Sequence, residues 1–208
     1  MNRKSIILII ASVIIYSGLS LQAQTASAKK LAINTTDSKV SWLGKKPTGE
    51  HNGYVKLTGG EVIVDKNELT GGSFTIDFNS IVNLDLKDEG MNNRLVGHLK
   101  SADFFDVAKY PTARFAITKV TKVSGPAAGA AKATHRIEGD LTMKGITKKI
   151  SFDASINLLN GKLVASTPTF TIDRTQWSVN YQSKSIFAEL KDQFIYDDMT
   201  LSVELVSN

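Results

Sequence analysis

Cysteine is absent from this chain, so no disulfide, thiolate nucleophile or cysteine metal ligand is available to it. The three histidines, His51, His98 and His135, are widely separated and form no His-x-His or His-Glu-x-x-His pattern, which removes the usual signatures of a histidine metal site. Gly-x-Ser-x-Gly, Gly-x-x-x-x-Gly-Lys and Gly-x-Gly-x-x-Gly are missing too, and with them the sequence marks of a nucleophile elbow, a phosphate loop and a dinucleotide fold. Charge of one sign is not concentrated anywhere. The formal net charge of +5 comes from lysines interspersed with acids, and Arg3 and Lys4 supply two of those charges, so no nucleic-acid footprint is present.

Long apolar runs are scarce, and the one that exists is at the start. Arg3 and Lys4 precede an apolar stretch from Ile6 to Tyr16, followed by the small residues Ala26-Ser27-Ala28, the three regions of a secretory signal peptide. The stretch between Lys4 and Gln22 is interrupted by serines and at the short limit for a bilayer span, so no stable membrane span is expected. No cysteine follows it to carry a lipid. Cleavage is expected near Ala23 or Ala28, giving a signal peptide at residues 1–28, one domain at 29–208 and a periplasmic location.

What is abundant is alternation. Phe74-Thr-Ile76-Asp-Phe78, Leu141-Thr-Met143, Ile150 to Leu158, Phe170-Thr-Ile172, Trp177-Ser-Val179-Asn-Tyr181 and Met199 to Leu205 read apolar, polar, apolar, with shorter versions at Val40 to Trp42 and Phe115 to Ile117. Period two with one wet face predicts antiparallel strands. Thr58-Gly59-Gly60, Thr70-Gly71-Gly72 and Asn160-Gly161 read as hairpin turns, and Ser124 to Ala133 as a hairpin tip without function. Eight or so long strands with one apolar face make a sandwich or a closed barrel, and their length favours the barrel. Its inward set is expected to comprise Trp42, Phe74, Ile76, Phe78, Phe115, Ile117, Leu141, Met143, Phe152, Phe170, Ile172, Trp177 and Leu201.

The stretch His98 to Phe115 breaks the alternation. Ser101 caps a helical turn, Phe104 and Phe105 set two rings side by side, and Pro111 pushes Tyr110 toward extended geometry ahead of a strand at Ala113 to Ile117. Asp88 to Leu99 has helical spacing, with Met91, Leu95 and Leu99 on one side and Gly90 and Gly97 as weak points. Met91 to Phe105 is therefore expected to cover one barrel mouth, with Phe104 and Phe105 turned inward as pocket lining. The acid pairs Asp103 with Asp106 and Asp197 with Asp198 read as caps or solvated groups.

The segments His98-Leu-Lys-Ser-Ala-Asp-Phe-Phe-Asp106, Tyr110-Pro-Thr-Ala-Arg-Phe115, Gly139-Asp-Leu-Thr-Met-Lys-Gly-Ile-Thr147, Ile172-Asp-Arg174 and Ile195-Tyr-Asp-Asp-Met-Thr-Leu201 resemble, in order, the YceI-like periplasmic polyisoprenoid-binding proteins. The resemblance implies an extended, lipocalin-like, eight-stranded antiparallel barrel with a short helix near one mouth. It implies a long isoprenoid or similar amphiphile in the apolar interior, no catalysis and no cofactor. Where many relatives have Arg-Ser-Asp-Phe-Gly, this chain has Arg174-Thr-Gln-Trp177-Ser178, so Trp177 takes the aromatic position, a bulkier ring expected to shorten the cavity, and ligand length does not transfer. Arg174 reads as a head-group contact or, more simply, as an ion pair with a nearby acid.

The expected function is binding of an isoprenoid, quinone or fatty-acid-like amphiphile for sequestration, transport or storage. Two other classes stay open: a lipid-modifying isomerase or hydrolase, which needs a polar cluster inside the barrel, and a structural or stress module with a packed core. The sequence leaves open whether the protein is a homodimer.

Overall fold

The computed structural model describes residues 28–123 and 132–208. The expected leader, apart from Ala28, and most of the expected hairpin tip at Ser124 to Ala133 lie outside the described residues.

The alternating segments form ten antiparallel strands: β1 (Lys29–Ala32), β2 (Lys39–Lys46), β3 (Gly49–Asp65), β4 (Glu68–Asn83), β5 (Thr112–Lys122), β6 (His135–Met143), β7 (Ile146–Leu159), β8 (Lys162–Ser166), β9 (Phe170–Asp173) and β10 (Asp198–Val206), with one helix, α1 (Glu89–Lys100). From β2 to β8 each strand pairs with the next in sequence, β10 pairs with both β8 and β2, and the sheet closes on itself. The closed barrel has eight staves because two of them are broken. β1 and β2 both run against β3, separated by a turn in which the Asn34 side chain accepts the Thr36 and Asp37 N–H groups. β8 and β9 both run against β10, separated at Pro168, which has no N–H for the ladder. There Thr167 substitutes, its hydroxyl accepting the Val203 N–H at 2.9 Å.

Three two-residue hairpins have both residues at positive φ: Lys66-Asn67, Lys144-Gly145 and Asn160-Gly161. The last is the turn expected from sequence. The other two expected turns are not turns. Gly59-Gly60 lies within β3 and Gly71-Gly72 within β4, where the two strands approach so closely that a Cβ on Gly60 would come 2.3 Å from the Ser73 oxygen, and one on Gly72 2.5 Å from the Glu61 oxygen. The glycines admit close backbone contact and a register shift between Leu57 and Gly59, which lets long strands bend around the barrel.

The segment Trp177 to Tyr181 is not a strand either. Arg174–Trp177 is a turn of 3₁₀ helix whose Asp173 side chain caps the Thr175 N–H, and Ser178 ends it in the left-handed region. The alternation there comes from Trp177 and Val179, both buried, hanging from an irregular loop. The chain from Arg174 to Asp197 is thus a second long connection at the same barrel end as α1.

In α1, capped by Asp88 through the Met91 N–H, the face toward the barrel is Asn92, Leu95, Val96 and Leu99. Met91 points away and is 56% exposed, against the expected Met91, Leu95, Leu99 face. Its place is taken by Asn92, whose amide donates to the Asn83 and Leu86 carbonyl oxygens at 3.1 and 3.0 Å. A polar anchor, invisible to an apolar count, sets the rotation of the helix.

Candidate functional site

The inward faces of the staves enclose two apolar spaces. The upper one, under α1 and the second connection, has about 120 Å³ open to the centre of a water-sized sphere, and the lower one about 40 Å³. On β4 the lining passes from Ile76 and Phe78 in the upper space to Phe74 in the lower, and on β5 from Ala113 to Phe115. Phe74, Phe115 and Phe152 stand in a row with ring centroids 5.5 and 5.4 Å apart, forming the floor between the two.

Of the residues expected to line a pocket, Trp42, Ile76, Phe78, Phe104, Phe105, Leu141, Met143, Ile172 and Leu201 line the upper space, and Phe74, Phe115, Ile117 and Phe152 the lower. Two line neither. Phe170 stacks on Phe152 at 4.5 Å beside an outer cleft with Pro168 and Asp153, because β9, past the Pro168 break, hydrogen-bonds to β10 and not to β7. Trp177 is sealed, 1% exposed, with its Nε1 donating to the Leu141 carbonyl oxygen at 3.0 Å. The bulky ring is packed into the wall and lines neither space.

Sequence reading missed Val40, Val55, Ile81, Leu99, Ala113, Val179, Ile195 and Met199, together with Tyr196 and Asp198, whereas Arg174, weighed there as a head-group contact or an ion pair, does reach the lining. Val40 and Met199 share the period-two face of Trp42 and Leu201, so their signal was present. Val179, Ile195 and Tyr196 arrive on the second connection, where the alternation at Trp177 to Tyr181 read as a strand and nothing periodic marks Ile195 and Tyr196 as lining.

Two segments close the upper mouth. From the first, Phe105 stacks on Phe78 at 4.6 Å, and Phe104 packs at 5.3 Å from Tyr181 of the second. His98 sits edge-on to both, 5.0 Å from Phe104 and 4.6 Å from Tyr181, while its Nε2 meets Asp103 at 3.1 Å. A polar cluster fixes the start of the first segment. Asp85 accepts from the Asn52 N–H at 2.9 Å and from the Asn83 amide, and pairs with His51 Nδ1 at 2.7 Å. Burial alone pushes this carboxyl up, but the hydrogen bonds from Asn52, His51 and Asn83 outweigh it and bring it down to about 2.

Arg174 holds the second segment together. It is 3% exposed, and its guanidinium donates through Nε to Tyr196 O at 3.2 Å, through Nη1 to Val179 O, and through Nη2 to Tyr181 O and Ile195 O at 3.0 and 3.2 Å. Its acid partner is Asp197, at 3.6 Å, rather than the adjacent Asp173, which caps Thr175. Burial lowers the guanidinium pKa, with Asp197 and Asp173 opposing. Burial likewise raises the Asp197 carboxyl, but Ser183, Ser185 and Arg174 carry it below the ordinary range. Of the acid pairs, Asp197 is thus structural, and Asp198 stands at the rim of the cavity.

The profile of the YceI-like domain matches residues 31–207. The chain belongs to the YceI-like family. Among curated relatives, a UPF0312 protein of Pseudomonas putida (strain GB-1) is 47% identical over 60 residues, 29% of this chain and 28% of that protein. Protein YceI of Escherichia coli O17:K52:H18 is 41% identical over 59 residues, 28% of this chain and 27% of that one. These matches thus span just over a quarter of the relatives' length. Among solved structures, Burkholderia cenocepacia BcnA aligns with a TM-score of 0.61 at 22% identity, covering 85% of this chain and 99% of that one. A polyisoprenoid-binding domain from Saccharophagus degradans aligns at 0.59 and 14% identity, covering 88% and 99%. At such identities the likeness is one of fold, and the YceI-like barrel is the fold found here.

Proposed function

We propose that this YceI-like protein binds an isoprenoid, quinone or fatty-acid-like amphiphile in its upper cavity and sequesters or carries it, without covalent chemistry, in the periplasm after loss of the leader. The observation that carries the reading is an apolar space inside a closed barrel whose mouth is covered by two chain segments tied down by side chains instead of by strand pairing. Burying a hydrocarbon needs no catalytic group. Each methylene removed from water contributes about 0.8 kcal/mol, so roughly ten supply about 8 kcal/mol, a micromolar affinity before ordering costs. Two further features support it: the chain's membership of the YceI-like family, and the Saccharophagus degradans domain of the same fold described as polyisoprenoid-binding.

Native mass spectrometry of protein released by osmotic shock tests it. The expected result is a chain beginning at Gln24 or Lys29, carrying a lipid-sized adduct that organic extraction removes. A ligand-free mass under gentle conditions, with no uptake of added isoprenoids or fatty amides, would overturn the binding reading, and recovery of only the uncleaved chain in the membrane pellet would overturn the location.

A further inference from the structure

The chain contains two Asn-Gly steps, Asn52-Gly53 and Asn160-Gly161, and the fold treats them oppositely. At such a step the peptide nitrogen of the glycine is unshielded by any Cβ, so it can reach the amide carbon of the asparagine side chain before it. Asn52-Gly53 lies inside β3, where Gly53 is buried and pairs with Trp42 of β2 on one side and Asn83 of β4 on the other. The Asn52 N–H donates to Asp85 at 2.9 Å, and its carbonyl oxygen accepts from the Leu84 N–H at 2.9 Å. That peptide cannot rotate without breaking the sheet on both sides.

Asn160-Gly161 is the two-residue turn between β7 and β8, at the barrel end away from the covered mouth. Both residues are exposed and sit at φ values of 52° and 79°. The last ladder pair is Leu159 with Lys162, so the peptide joining Asn160 to Gly161 belongs to no ladder. Leu159 is 65% exposed, so opening the turn gives up little packing.

The charge around the turn favours attack by that nitrogen. Lys29 of β1 holds its Nζ 3.8 Å from the place a Cβ on Gly161 would take, and Lys162 follows directly in the chain. Lys30 next door is paired with Glu61 at 2.7 Å, whereas among the described residues Lys29 and Lys162 have no carboxylate within ion-pair distance. An ammonium here favours loss of the Gly161 amide proton, and it stabilises the oxyanion formed as the nitrogen adds to the side-chain carbonyl.

We infer that Asn160-Gly161 is a self-modification site of the folded protein, promoted by Lys29, whose only co-reactant is water. The Gly161 nitrogen gives its proton to solvent and bonds to Asn160 Cγ, the bond from Cγ to the side-chain nitrogen breaks, and ammonia leaves a cyclic imide. Water then opens the ring. Attack at Cγ gives aspartate in a normal peptide, and attack at the main-chain carbonyl gives isoaspartate, with the chain rerouted through the side-chain carbon. Either product carries a new carboxylate beside Lys29. The aspartate keeps the turn, while the isoaspartate adds a backbone atom that a two-residue loop does not accommodate, parting Leu159 from Lys162. Leu163, 1% exposed, is the next anchor and confines the change to the hairpin tip.

The full mature protein is incubated at mildly alkaline pH, folded or in urea, and mapped with trypsin. Asn160 falls in the Ile150–Lys162 peptide and Asn52 in Lys46–Lys56. In the folded protein the first is expected to convert at least about tenfold faster than the second, because Asn52 must await local unfolding. In urea the two rates should converge. Lys29→Gln is expected to slow Asn160 about threefold, the size of one exposed charge interaction, and raised salt should slow the wild type toward it. Equal rates at the two steps in the folded protein, or a difference that persists in urea, overturns the site. An unchanged rate in Lys29→Gln overturns the part given to Lys29. Neither result touches the lipid-binding reading, since the turn lies outside both apolar spaces.

Discussion

The Lys144 ammonium lies 2.7 Å from the main-chain oxygen of Phe104 and 3.0 Å from that of Ser178, so one side chain at a hairpin tip ties both covering segments to the barrel. Lys144→Met keeps the apolar stem and removes both bonds. A loss of about 2 kcal/mol in urea unfolding is expected, since hydrogen bonds to charged groups contribute about 1.5–3 kcal/mol each and the site is partly wet. Release of a bound fluorescent lipid should accelerate severalfold in stopped-flow measurements. An unchanged release rate would show that the two segments do not move during exchange.

The rings beneath that bond separate gate from anchor. Phe104 and Phe105 are 8% and 9% exposed and line the upper cavity, whereas Phe152 belongs to the floor. Removing a fully packed ring costs about 3–5 kcal/mol. Because part of each mouth ring faces the cavity, Phe104→Ala with Phe105→Ala should lower the melting temperature by less than twice the effect of Phe152→Ala, and should speed lipid release. Full destabilisation with normal release would make the turn a structural plug.

Acid should loosen the first segment before the barrel. The Asp85 carboxyl is held at about 2 against an ordinary 3.8, so its contribution is fully present above pH 4 and is lost as pH falls from about 4 toward 2, where the folded state must also protonate. With solvent screening the contribution is about 1–2 kcal/mol. Asp85→Asn should flatten that part of the stability curve in a pH series of urea melts. An identical slope in both proteins would remove Asp85 as its source.

Two glycines predict opposite signs. A Cβ on Gly139 would come 2.3 Å from Phe115 Cζ and 2.6 Å from the Ala116 oxygen, so Gly139→Ala should cost about 1–3 kcal/mol by overpacking the floor. Gly97, inside α1, has nothing within 4 Å of the added carbon, so Gly97→Ala should stabilise by about 0.5–1 kcal/mol in thermal melts. Should Gly97 serve as a hinge of the cover, that variant will also slow lipid exchange.

Period-two alternation determined the antiparallel strands and most of the inward set, because a strand has two faces and water removes the choice between them: Phe74, Ile76 and Phe78, or Leu141 and Met143, had one place to go. The rings of Phe104 and Phe105 were legible for the same reason, since no lone turn can bury them. Only the tertiary structure decided what depends on the element across the gap. Gly59-Gly60 is a bend and not a turn because β4 presses against it. Trp177 is wall and not lining because Leu141 offers it an acceptor, while Trp42, with an identical ring, has none among the described residues. Arg174 gathers Val179, Tyr181, Ile195 and Tyr196 into a second cover through carbonyl oxygens. Every residue carries the same carbonyl, so which of them a guanidinium meets is set by the path of the chain and leaves no mark in the pattern of side chains.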